Sequence, residues 1–375
     1  MSAVLPSGAV DTRAKRPARG TRRAPPPRFL TTHVEPALED RDGGASPRDP
    51  RTEIRTERAR TILSTNTSPD VPFERSLNPY RGCEHGCIYC YARPTHAYLD
   101  LSPGLDFETK IVAKQNAPEV LERTLRRRGY EPKPIALGAN TDPYQPAERT
   151  LGITRRVLEV LDAFGHPVTV VTKSTLVLRD RDVLGRLARR DLAHVLVSLT
   201  TLDGDLAHRL EPRAAAPRRR LAVLERLAQA GIPVGVLVSP VIPAVNDGEI
   251  EALCTAAKQA GARAAGMILL RLPREVAGLF EDWLDTHLPA RKERVLSLLR
   301  QARGGRLDDP RFGHRMRGGG PYATLLRDRF RTVRRRLGLA RDLPPLSTAH
   351  FAPPSPSTEA SCRQLSLPIL GDESL

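Results

Sequence analysis

Residues 77–96 read LNPYRGCEHGCIYCYARPTH, and the fold is decided by how this stretch is read. Three of the five cysteines fall inside it, Cys83, Cys87 and Cys90, spaced C-x3-C-x2-C. Thiolates this close in sequence converge on one centre when a metal holds them, and a C-x2-C turn wraps a metal ion or cluster readily. A tetrahedral zinc site takes four ligands and commonly gathers them as two pairs. Here there is no second pair, so zinc would need His85 or His96 as its fourth ligand. Three thiolates on a four-iron cluster leave one iron without a protein ligand, and an open position is what a reactive cofactor requires. Tyr89, just before the third cysteine, adds an aromatic wall beside that position.

The chain has 375 residues, enough for one core domain with appendages. No apolar run approaches the roughly 18 residues that span a membrane. The N-terminal residues lack the long apolar segment of a secretory signal. Clustered cysteines argue against a disulfide framework, so a reducing, cytoplasmic setting is expected. The net charge of +16 is uneven: residues 1–30 carry +6, residues 290–341 carry +12, and the rest is near neutral. Two basic ends on a neutral body point to a polyanion partner, nucleic acid first. The competing reading is coding bias, since the basic residues are nearly all Arg.

Residues 1–70 are rich in Pro, Arg and acidic residues and are expected to be mostly disordered. From residue 71 strands alternate with helices. Strands are expected at 76–80, 134–138, 168–172, 194–199, 232–241 and 265–270. The helices between them are expected at 116–128 (capped by Asn116), 152–164, 180–190, 215–230 (ending at Gly231) and 247–260 (ending at Gly261). Such alternation means βαβ units and a parallel sheet. Right-handed crossovers curl six units into an open barrel, whose chemistry belongs at the C-terminal strand ends. The cysteine loop follows the first strand and so falls on that rim. Residues 276–341 read as a basic helical extension. Leu325, Leu326, Phe330, Val333 and Leu337 form its apolar stripe opposite Arg327, Arg331, Arg334 and Arg335, and residues 342–375 read as a disordered tail.

C-x3-C-x2-C with an aromatic before the last cysteine resembles the signature of the radical S-adenosylmethionine (SAM) enzymes. The wider wording, Asn78-Pro79-Tyr80-Arg81-Gly82-Cys83 through Cys90-Tyr91-Ala92-Arg93, is similar to the branch related to spore photoproduct lyase. The resemblance covers about residues 71–275. It implies an α/β fold, a partial (β/α)6 TIM-like barrel, with a 4Fe–4S cluster on Cys83, Cys87 and Cys90 and SAM on the open iron. It also implies reductive cleavage of SAM to methionine and a 5′-deoxyadenosyl radical, fed by a donor such as flavodoxin or ferredoxin.

SAM would need polar groups at several strand ends. The stretch 138–145 occupies the place of the family's Gly-Gly-Glu motif, and only Asn140 and Asp142 are carried over; an Asn/Asp-Pro turn explains the same letters. Ser198 and Thr200 suit the ribose. Glu211 suits its hydroxyls and Arg213 the methionine carboxylate, against the alternative of a salt bridge at a helix start. Lys173, Ser174, Ser239 and Asn246 end neighbouring strands. Cys254 sits in an apolar helix and reads as core filler. In the tail, Gln364, Leu365, Leu367 and Ile369 resemble the short peptide by which bacterial proteins bind the DNA sliding clamp. The leading expectation is a radical SAM enzyme acting on DNA or another nucleic acid, as a repair lyase would. The alternatives are modification of a peptide or metabolite, and a non-catalytic nucleic-acid-binding iron–sulfur protein.

Overall fold

The computed structural model describes residues 19–29 and 51–355. Their strands are β1 (Glu53–Glu57), β2 (Leu63–Thr65), β3 (Arg75–Leu77), β4 (Tyr80–Arg81), β5 (Lys110–Lys114), β6 (Ile135–Leu137), β7 (Val168–Thr172), β8 (Ala193–Ser198), β9 (Val234–Val241) and β10 (Ala264–Leu269). The strands β3, β6, β7, β8, β9 and β10 lie side by side in sequence order, every neighbouring pair parallel. This is the six-strand open barrel expected from the alternation.

Its strands are apolar because both faces are covered. Leu77, Ile135, Leu137, Val168, Val170, Val195, Val234 and Val238 are completely buried. The covering helices Ile153–Ala163, Arg181–Ala188, Pro217–Gln229 and Ile250–Gln259 each turn an apolar stripe inward, as with Val157, Leu158 and Leu161. Cys254 is part of this core, as expected. Gly231 follows its helix with φ +75°, the left-handed cap that the sequence announces.

Both barrel edges are closed off. β2 pairs antiparallel with β3, and Ala340 bridges Ala264 beside β10. A second, three-stranded sheet of β1, β5 and β4 stands next to the cysteine loop. The described part of the arm read as disordered over 1–70 therefore carries two strands. The letters of β1, EIRTE, are polar apart from Ile54 and mostly exposed; order there comes from the backbone ladder with β5. Asn116 starts the helix Ala117–Leu125 but does not cap it, because its side chain exchanges two hydrogen bonds with the Ala59 backbone (2.8 and 3.0 Å).

The extension forms helices Glu275–His287, Lys292–Ala302 and Gly320–Arg336. Phe280, Trp283, Leu284, Leu296 and Leu299 pack in one apolar cluster with Cys87, Ile88 and Tyr89, so the extension supports the cysteine loop directly. Leu326, Phe330 and Val333 join the barrel core, whereas Leu325 of the expected stripe is 63% exposed. Residues 342–355 belong to the tail read as disordered, yet Phe351 packs on Phe164 and Tyr130, and the Ala352 N–H donates to the Phe164 carbonyl at 3.0 Å. Gln364, Leu365, Leu367 and Ile369 lie outside the described residues. Among the described residues no helix is long and apolar enough to cross a membrane.

Candidate active site

The cysteine loop emerges from β4 at the C-terminal rim. Cys83 and Cys87 are buried and Cys90 is partly exposed. Cys90 packs against the apolar cluster that includes Cys83 on one side and the one that includes Cys87 on the other. Burial pushes the Cys83 thiol well up and the Cys87 thiol to about 12, with the neighbouring cysteines adding to both. Thiols held this deep and this close become thiolates when metal ions bring positive charge among them.

Among the described residues no group of three or more His, Cys, Asp or Glu side chains, the cysteine trio included, is drawn together as tightly as a bound metal ion would hold it. Each candidate fourth ligand has one ring nitrogen engaged: His85 Nδ1 lies 3.3 Å from Asp142 Oδ2, and His96 Nε2 bonds the Lys110 carbonyl at 3.0 Å, while His96 Nδ1 is buried without a hydrogen-bond partner. Two buried thiols and a third, partly exposed one, with no fourth cysteine in the loop, suit a cluster with one open corner.

Behind the loop runs a buried network. The Tyr89 hydroxyl donates to Glu211 and lies 3.2 Å from the Thr200 hydroxyl, which is itself 2.6 Å from Glu211 Oε1. Arg220 donates to the other Glu211 oxygen and to the Ser198 carbonyl at 3.1 Å. Burial alone would raise the Glu211 pKa, but Arg220 and Lys173 hold it down at about 2. Tyr89, Thr200 and Glu211 thus stand together, with Ser198 joined through its backbone carbonyl, and Glu211 spends both oxygens on protein partners and anchors Tyr89.

Two other expected contacts are also occupied. Arg213 Nη2 pairs with Glu84 Oε1 at 3.1 Å, the salt-bridge alternative. Asp142 accepts from the Thr172 hydroxyl (2.8 Å) and from the backbone N–H groups of Lys173 (2.7 Å) and Tyr144 (2.9 Å). Burial opposes its charge, yet His85 and these donors keep its pKa below the usual carboxylate value. Asn140 is exposed on the rim, its backbone held by Asn78 Oδ1 at 2.8 Å. Asn246 is structural, tying Ile242, Thr200 and Pro240 together.

Lys173, just past the end of β7, brings a positive charge near Cys87 and Glu211. Burial disfavours its charge, but Cys87, Glu211 and Asp142 outweigh that and raise its pKa. Sequence reading gave Arg220 no role, although its spacing from Val223, Leu224 and Leu227 puts it on the inward face of its helix. Around the mouth, Tyr91 is 44% exposed with the Arg271 guanidinium 4.7 Å from its ring centre. Phe312 is 60% exposed with Arg315 at 5.0 Å. Arg303, fully buried, donates to the carbonyls of Leu269, Leu270, His314 and Arg315 at 2.8–2.9 Å and pins this loop to the end of β10.

Comparison with known proteins places these features in a family. Residues 77–257 match the model of the Radical SAM superfamily. An uncharacterised protein of Mycobacterium tuberculosis is 38% identical over 233 residues, 62% of this chain and 68% of its own length. An uncharacterised protein of Methanocaldococcus jannaschii is 28% identical over 173 residues, 46% of this chain and 62% of its own. Among solved structures, spore photoproduct lyase complexed with dinucleoside spore photoproduct superimposes with a TM-score of 0.58 at 17% identity, covering 77% of this chain and 81% of that one. A mutant of that lyase with bound AdoMet and the same lesion gives 0.56 at 17% identity, covering 77% and 80%. Members of this family use a 4Fe–4S cluster and SAM as cofactors. The chain belongs to the radical SAM superfamily and is an enzyme.

Proposed function

We propose that this enzyme acts on a nucleic acid whose bases stack at the barrel rim beside the cluster. One observation carries the reading: the exposed Tyr91 ring, adjacent to Cys90 in the chain, stands under the Arg271 guanidinium, with the charge of Arg315 also reaching it. Exposed rings paired with guanidinium groups are platforms for unpaired bases, and every base has a face to offer. The +12 charge of residues 290–341 supplies partners for phosphates. The dinucleoside lesion bound by spore photoproduct lyase supports the same substrate class, and a repair-type lyase reaction on DNA is the finer reading.

Cys83, Cys87 and Cys90 would hold the 4Fe–4S cluster. Lys173 and the one-third-exposed Arg213 supply positive charge for the SAM carboxylate, while Asn140 and Ser198 offer hydrogen bonds from neighbouring strand ends. Tyr89, fixed by Glu211, Thr200 and Arg220, forms a rigid wall that excludes water. When bound, the two cofactors supply reductive cleavage of a carbon–sulfur bond of SAM and a radical that abstracts hydrogen. A flavodoxin or ferredoxin would provide the electron, and the peptide at Gln364–Ile369 would dock on the sliding clamp.

The test is anaerobic reconstitution with dithionite, SAM and UV-irradiated DNA, analysed for 5′-deoxyadenosine and altered bases. Substrate-dependent product with DNA supports the reading. SAM cleavage indifferent to every nucleic acid offered, with no salt-sensitive binding, removes it.

A further inference from the structure

The segment 19–29 lies directly against the cysteine loop. A Cβ on Gly20 would stand 1.8 Å from the carbonyl oxygen of Gly86, between Cys83 and Cys87, so only glycine allows this approach. The Gly20 N–H donates to Glu108 Oε2 at 2.8 Å, and Arg19 donates to the Glu108 carbonyl at 2.8 Å. Arg19 also bonds the Thr52 hydroxyl at 3.0 Å. That hydroxyl donates to Glu84 Oε1 at 2.7 Å, one residue beyond Cys83. Farther along, the Leu105 N–H donates to the Arg23 carbonyl (2.9 Å) and the Ser102 hydroxyl to the Pro25 carbonyl (2.7 Å). Arg28 closes the segment, with Nη1 donating to both Glu275 oxygens at 2.6 and 2.8 Å and Nη2 to the Pro94 carbonyl at 3.2 Å.

Glu108 connects this segment to the interior of the loop. It is fully buried and pairs with Arg93, whose side chain is also fully buried. Arg93 directs Nε to the Cys87 carbonyl (2.9 Å), Nη2 to the Gly86 carbonyl (3.3 Å) and Nη1 to the Gly104 carbonyl (2.9 Å). One guanidinium thus fixes the backbone on both sides of the Gly86–Cys87 peptide. A buried guanidinium stays charged only with a partner such as Glu108, and Gly20 occupies the other oxygen of that carboxylate.

We propose that residues 19–29 are a clasp that acts through the Arg93–Glu108 pair, as positioning residues, to hold the cysteine loop in its cluster-binding shape and shield it on that side. The proposal rests on the cysteine trio being the cluster ligands. Its test uses the full chain with Gly20→Val, which forces the clasp off Gly86, and Arg28→Ala, which releases its far end from Glu275 and from the Pro94 carbonyl, outside residues 83–90. Gly204→Ala, at a position with open space, is the control. Two readouts are taken: amide hydrogen exchange across residues 83–90 in the apo-protein, and the rate at which the reconstituted protein yields iron to a chelator.

Both rates should rise in the order parent, Arg28→Ala, Gly20→Val. The last should rise on the order of tenfold, the size expected when one charge-assisted anchor of a local opening is lost. Exchange and iron release unchanged in both variants would overturn the clasp. A parent that exchanges as expected but takes up no iron would instead overturn the assignment of the trio, while the exchange data still judge the positioning role. Should Gly20→Val not fold, Arg28→Ala with raised exchange supports the clasp, and with parental exchange refutes it.

Discussion

Arg220 and Glu211 form an ion pair whose side chains are 2% and 0% exposed, directly behind the hydroxyl of Tyr89. A carboxylate this deep is tolerable only with its partner, so Arg220→Met strands a buried charge and should cost about 3–5 kcal/mol of stability. Tyr89→Phe removes one hydrogen bond to a charged group and should cost about 1.5–3 kcal/mol. Denaturant unfolding of the apo-proteins checks both. An Arg220→Met loss no larger than that of Tyr89→Phe would mean that Glu211 is not held by this pair.

His166 and His194 predict a pH dependence. Burial lowers each pKa to about 4. At His166 the Pro167 carbonyl, 3.0 Å from Nδ1, can only accept, so Nε2 accepts from the Tyr130 hydroxyl at 2.9 Å and the ring is neutral. The folded pKa lies below the unfolded value of about 6.5, so the unfolded chain binds more protons between pH 6.5 and 4. Stability contributed by the neutral rings is complete above about 6.5 and falls as pH drops to about 4, by on the order of 3 kcal/mol per ring. Replacing His166 with Gln should flatten the unfolding free energy between pH 4 and 6.5, and an unchanged slope would contradict the assignment.

The rim platform predicts a division of labour. Phe312→Ala and Tyr91→Ala should each weaken single-stranded DNA binding by about 1–3 kcal/mol with the salt slope preserved, because stacking is lost. Arg271→Ala should also reduce that slope by about 1, because it removes a phosphate partner. Fluorescence anisotropy across a salt series separates the two effects. Binding unaffected by all three would move nucleic acid off this rim.

The tail peptide makes an independent prediction. Pull-down with the DNA sliding clamp should recover the parent chain, and Gln364→Ala combined with Leu367→Ala should lose most of it, since both anchors of an extended peptide are gone. Equal recovery would remove the clamp as a partner.

The barrel was legible because its strands are buried on both faces and read as short apolar runs such as Val168–Thr172, bounded by helices that end at glycine. β1 was not, because its exposed EIRTE letters carry no apolar pattern and its order comes from Lys110–Lys114, far along the chain. The cysteine trio stands out in the sequence by its C-x3-C-x2-C spacing. The protein partners of Glu211 and Arg213 were not legible, because partner choice depends on distance, and Arg220 and Glu84 are the groups that reach them. Glu108 carried no local signal, since its partners Gly20 and Arg93 stand 88 and 15 residues away.

The central claim is that Cys83, Cys87 and Cys90 carry a four-iron cluster with one corner left for SAM. Iron, sulfide and zinc content of the anaerobically reconstituted chain, measured with 5′-deoxyadenosine release after dithionite reduction, tests it most directly. The account predicts about four irons and four sulfides per chain, SAM cleaved, and both lost in Cys87→Ala. One zinc per chain with no iron–sulfur absorption, or a full cluster that never cleaves SAM, would contradict it.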